Sequence, residues 1–258
     1  RRDMTVAPKP VGWREDVLDE LVWTLRGRRG WLIGIAVNLI LGIGYALYTV
    51  YNPNDHWFLR SANGVAANVA LFVLSDPINT NQLGADRDHV VPELGQGKQV
   101  ARILFKKNIA LAIILVPMTM AISTGLRLLL DEDRTILSAI MLDIWIVVGW
   151  LALGNVASTL APYWPMSFKR RLRMPRTWPW WALVLALPYA LYYLRAWVIE
   201  PAVSDALGSR SYNRASVDWT WGLRFVGVAF AMLAVSYLIC AALGRRPQWL
   251  ITNLRRDR

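Results

Sequence analysis

"ILSAIMLDIWIVVGWLALGNVASTLA" runs from Ile136 to Ala161 and holds a single ionisable side chain, Asp143. As a helix rising about 1.5 Å per residue, it covers the roughly 30 Å hydrocarbon core of a bilayer. A surface helix of a soluble domain would bring charges back every three or four residues, and here they do not return. The stretch reads as a membrane span, and the rest of the chain can be parsed outward from it.

Five other apolar stretches have comparable character: 31–50, 61–75, 108–130, 178–199 and 221–244. The stretch 61–75 is short and rich in Ala, Gly and Asn, as suits a helix packed closely among others. Over the 258 residues, 55% are hydrophobic and only 18% charged, too little charge to cover a soluble domain of this length. The expected fold is all-α: a polytopic membrane protein with six transmembrane helices.

Lys and Arg set the orientation. With the N-terminus in the cytoplasm, the inner segments 1–30, 76–107, 160–177 and 244–258 carry 7, 5, 5 and 5 basic residues, 22 of the 29 in the chain. An odd number of spans would put one of these segments on the wrong side, so both termini are expected to be cytoplasmic. Trp178, Trp180 and Trp181 at one span mouth, and Trp219 and Trp221 at another, fit interfacial aromatic belts. No cleavable leader is expected, because residues 1–30 are largely polar and no small-residue cleavage pattern follows.

Ahead of the first span, "GWREDVLDELVWTLRG" (Gly12–Gly27) places Trp13, Val17, Leu18, Leu21, Val22 and Leu25 on one helical stripe. Arg14, Glu15, Asp16, Asp19 and Glu20 take the other side. This predicts an amphipathic helix at the cytoplasmic interface over 12–27, in contact with membrane lipid; a helix capping a soluble partner is the alternative.

Several functions are disfavoured by the residue inventory. The net charge of +11 does not point to nucleic acid, because the basic residues sit beside apolar runs rather than on one polar domain. Cys240 stands alone inside an apolar run and reads as a small buried hydrophobe. His56 and His89 have no partner at metal-ligand spacing. "PELGQGKQ" (Pro92–Gln99) touches the phosphate-loop pattern but has Pro92 where Gly is needed and Gln99 where Ser or Thr is needed. The chain is therefore expected to be non-catalytic and to hold no cofactor or metal.

Ionisable and amide side chains at membrane depth are the candidates for a substrate path: Asn38, Asn63, Asn68, Asp143 and Asn155. Interhelical hydrogen bonds account for the four Asn about as well, and for Asp143 a structural ion pair with Arg127 or Arg224, near outer helix ends, is favoured over proton transport. Gly30, Gly34, Gly42 and Gly44 give the first span a smooth face for close helix packing.

One polar break stands out, "NQLGADRDHVVPELGQGKQ" from Asn81 to Gln99. Its mixed charges, with Asp86, Asp88 and Glu93 against Arg87 and Lys98, suit a soluble protein better than anionic lipid. Three stretches carry a family likeness: "NQLGADR" (Asn81–Arg87), "KKNIALAI" (Lys106–Ile113) and "LGNVASTLAPY" (Leu153–Tyr163). In order and placement, across about 76–165, the chain resembles the membrane permease subunit of ABC exporters of the ABC-2 type. Two departures are visible. Lys106 stands where the family commonly has Gly. "HVVPELGQG" (His89–Gly97) is interrupted by Pro92, Gly95 and Gly97 where relatives are more helical and apolar.

The resemblance implies a single permease domain over 1–258 in the cell membrane, working in efflux as a homo- or heterodimer with a second permease subunit. It implies a cytoplasmic coupling loop over 76–107 that docks a separate ABC ATPase subunit, which would supply ATP and Mg. Asn81, Gly84, Asp86, Arg87, Asp88 and Glu93 are the coupling residues it points to. An integral membrane enzyme, a non-transporting scaffold subunit and a secondary carrier remain as alternatives.

Overall fold

A computed structural model describes residues 13–26, 36–37, 39–44, 47–48, 80–130, 136–162, 186, 190, 219–245 and 247–255. The elements are all helical, with no strand among the described residues: α1 (Trp13–Arg26), α2 (Gln82–Ala85), α3 (Arg87–Gly95), α4 (Val100–Leu130), α5 (Ile136–Leu160), α6 (Trp219–Leu243) and α7 (Pro247–Arg255). Three helices among them are long and apolar enough to cross a membrane, through Val100–Gly125, Ile140–Leu160 and Gly222–Leu243. The chain is thus a helical protein with membrane-spanning character. Residues 36–37, 39–44 and 47–48 are helical within the expected span 31–50. The expected spans 61–75 and 178–199 lie outside the described residues, apart from 186 and 190.

The α4–α5–α6 bundle is centred on α5, which pairs most extensively with α6 and next with α4. Leu111 and Leu115 of α4, Trp145, Val147, Val148, Trp150 and Leu151 of α5, and Ala229 of α6 form its apolar core. Gly222 brings α6 close to α5: a Cβ there would stand 2.5 Å from Met141 Sδ and 2.9 Å from Met141 Cβ.

A second core sits at one end of the bundle. Leu83 of α2, Val90 and Leu94 of α3, Val100, Ile103 and Leu104 of α4, Cys240 of α6, and Leu250 and Leu254 of α7 are buried together. The polar break and the C-terminal helix thereby close over the bundle as a cap.

Two sequence expectations change here. The third span was placed from Asn108, but α4 begins at Val100. Val100, Ile103 and Leu104 have cap residues to pack against, so the helix gains two turns beyond the apolar run. Pro92 does not interrupt "HVVPELGQG" either, since α3 runs through it to Gly95. Pro92 is exposed, and Val90 and Leu94 on its flanks are buried, which fixes the helix in spite of the missing N–H. The real stop is Gly97, at φ +81°. Gly97 N–H donates to the Leu94 carbonyl at 3.0 Å, and Lys98 N–H donates to the Glu93 carbonyl at 3.1 Å. That is the glycine-dependent Schellman ending, here reinforced by a Lys98–Glu93 ion pair of 2.9 Å in place of the usual apolar contact.

Candidate functional site

The cap is fixed to the bundle by charge on one side and by amides on the other. Lys106 and Lys107 at the base of α4 are the charged centre. Lys107 Nζ donates to Glu20 Oε1 of α1 at 2.6 Å and to Asp86 Oδ2 between α2 and α3. Lys106 reaches Glu93 of α3 at 2.6 Å and Glu20 at 3.4 Å. Arg102 reaches Asp16 of α1 at 3.4 Å. Adjacent lysines on one helix thus hold two other elements, α1 and the α2–α3 segment, in one register. Glu20, Asp86 and Lys107 are all buried, where an unpaired charge would be costly, so each requires the others.

Trp23 of α1 completes the joint. Its indole N–H donates to Asp86 Oδ1 at 3.2 Å, and its ring meets His89 edge-on, centroids 4.4 Å apart. The remaining face of α1 is turned away: Leu18, Val22 and Leu25 are exposed, while Val17, Glu20 and Thr24 are buried. The expected stripe is therefore split, because Glu20 and Asp16 of α1 turn toward Lys107 and Arg102 of α4, while Glu15 and Asp19 stay exposed.

Glu93, on α3, feels burial and two cations in opposite senses. Burial alone would raise its carboxyl, but hydrogen bonds from Lys106 and Lys98, together with their charges, bring it below the usual value near 4.5.

Deeper in, Asn108 is the hub. Its carbonyl accepts from Gln82 Nε2 of α2 at 2.8 Å. Its amide donates to Asn155 Oδ1 of α5 at 2.9 Å and to the Tyr237 hydroxyl of α6 at 2.8 Å. Asn155 in turn donates to Ser236 Oγ at 2.9 Å. Four elements therefore share one buried amide chain. Leu83 N–H, one of the orphan donors at the start of α2, is met by Ser158 Oγ of α5 at 2.8 Å, since the Asn81 side chain makes no capping bond.

The anticipated coupling residues separate by depth. Asn81, Gly84 and Asp86 are buried, Arg87 and Glu93 are half-buried, and Asp88 is exposed. Within this chain Asp86 serves an internal joint, and the accessible charge lies at Arg87 and Asp88, whose side chains are 3.6 Å apart. Of the substrate-path candidates, Asn155 belongs to the amide chain. Asp143 lies at the opposite end of the bundle and accepts from Ser123 Oγ at 2.5 Å. Asn38, Asn63 and Asn68 lie outside the described residues.

Sequence reasoning missed Glu20, Trp23, Lys107, Asn108, Ser158 and Tyr237 as site residues. "KKN" was noted only for its family likeness; two lysines ahead of an apolar run are a signal of interfacial pairing that could have led to Glu20. The arrangement connects the cap to three long helices through buried side-chain bonds. No protein-family model, curated protein or solved structure matches the chain.

Proposed function

We propose that this chain is the membrane permease subunit of an ATP-driven exporter of the ABC-2 type. Its six spans form half of a translocation path completed by a second permease subunit in the cell membrane. A separate cytoplasmic ATPase, carrying ATP and Mg, docks on the cap. The observation that carries this reading is the joint at Lys106–Lys107–Asn108, which ties a folded polar segment to α1, α4, α5 and α6 at once. A passive turn between two spans has no need of such a joint. A segment that must pass the motion of a motor into the bundle does.

Parity supports the six-span layout. Through their contacts, α1, α3 and α7 gather at the same end of the bundle. Helix α5 finishes at that end, while α6 starts at the other, beside Met141. An even number of crossings before α2 and an odd number between α5 and α6 satisfy both, as spans at 31–50, 61–75 and 178–199 do. The exposed Leu18, Val22 and Leu25 of α1 suit an interfacial helix that keeps its apolar side for lipid.

In this mechanism ATP binding favours one spacing of the two ATPases. Each pulls its cap, and α4 and α5 follow because cap and bundle share side-chain bonds; the population shifts by the difference in ATPase affinity for the two states. The test is purification of the tagged full chain from native membranes. An ATP-hydrolysing protein accompanies it, and Arg87→Ala with Asp88→Ala lowers that association while membrane insertion is unchanged. A chain that purifies without any ATPase, or that turns over a lipid unaided, overturns the reading.

A further inference from the structure

The C-terminal helix gives the cap a wall that the 81–99 segment alone does not have. Leu250 and Leu254 of α7 are buried in the same cluster as Val90 and Leu94 of α3, so the two helices form one layer. Between them runs a groove of about 310 Å³, lined by Arg87, Asp88, Val91 and Pro92 of α3 and by Leu254 and Arg255 of α7. Its lining mixes three apolar side chains, Val91, Pro92 and Leu254, with two guanidinium groups and one carboxylate. The Asp88 side chain is 94% exposed, and Arg255 and Pro92 are exposed as well.

We propose that the α3–α7 groove seats an acidic, apolar-flanked segment of the ATP-hydrolysing partner, with Arg255 of α7 as a docking residue beside Arg87. The proposal rests on the exporter reading above and adds α7 to it. Charge selects the occupant: the lining sets two guanidinium groups against one carboxylate and α7 contains no acidic residue, so the groove keeps a positive excess on its α7 side for a partner carboxylate at Arg255, while apolar neighbours cover Val91, Pro92 and Leu254.

Anionic lipid fits less well. A helix that binds a membrane surface offers its apolar face to the acyl chains, and here Leu250 and Leu254 are committed to the protein core.

The test uses the full chain in its native membranes, with p-benzoylphenylalanine placed in turn at Asp88 and at Thr252, an exposed α7 position about one turn before Arg255. Irradiation should join both positions to one and the same ATP-hydrolysing protein, identified by mass spectrometry. Arg255→Glu should lower the yield at position 88 about tenfold, by setting like charges against each other, whereas Arg255→Lys should keep most of it. Capture at 88 alone, indifferent to Arg255→Glu, overturns the role of α7 and leaves the exporter reading standing. Capture of lipid at 252, or of a protein that does not hydrolyse ATP, overturns the groove assignment. With no ATP-hydrolysing protein captured at either position, both readings fall.

Discussion

The two cores of this molecule are built on different physics. The bundle core around Trp145, Trp150 and Leu151 is made of apolar side chains, with buried polar pairs, Ser123–Asp143 and Asn155–Ser236, toward its two ends. In lipid its helices gain little from hiding apolar surface and are held by close packing, as where Gly222 meets Met141. The cap core around Leu83, Val90 and Leu250 is fenced by ion pairs from Lys106 and Lys107. There, burial from water supplies the drive and charges supply the register. It follows that the cap can be loosened without dissolving the bundle, and the reverse.

Lys107→Ala should separate the two cores most strongly. It leaves the Glu20 and Asp86 carboxylates buried with their shared cation gone, a loss of about 3–5 kcal/mol. Hydrogen exchange in detergent should accelerate across α1 and α2–α3 and stay slow in the middle of α5. If α5 opened equally, the two cores would be one cooperative unit.

Gly222→Ala probes the other side. The new methyl group would press on Met141 and cost about 1–3 kcal/mol. The effect should be local: exchange should rise in α5 and α6 near Met141, with α2 and α3 unchanged.

These contrasts show what the sequence could and could not disclose. The apolar runs at 108–130, 136–161 and 221–244 are visible because hydrophobic length is a local property, and helices α4, α5 and α6 occupy them. The start of α4 at Val100 was hidden, since "VARILFKK" carries three basic residues and its apolar members pack on distant residues, Leu83, Leu94 and Leu250. Glu20 read as a solvent-side charge, and its partner Lys107 lies 87 residues away. No periodicity encodes such a pairing. Gly97 was read as an interruption, when its positive φ makes it the ordered end of a helix.

Asn108 joins the two regions, so Asn108→Ala should disturb both and by less. A side-chain hydrogen bond between membrane helices contributes roughly 0.6–2 kcal/mol. Exchange should rise modestly at Gln82–Leu83 and around Tyr237 together, the signature of a shared bond. A change confined to one region would remove Asn108 as the link.

The smallest effect belongs to Glu93, and pH brings it out. Its carboxyl is held below the ordinary value near 4.5 by Lys106 and Lys98. A depressed carboxyl adds stability that is complete above the unfolded value and is lost as pH falls through the folded one. Glu93→Gln should therefore cost about 1 kcal/mol or less at neutral pH, since Lys98 remains partly open to solvent. The gap between the variant and the natural chain should close as the medium is acidified below the ordinary carboxylate range. Hydrogen exchange at α3, followed down the same pH series in both chains, checks this closure; a gap that stays open in acid would remove Glu93 as the titrating anchor of α3.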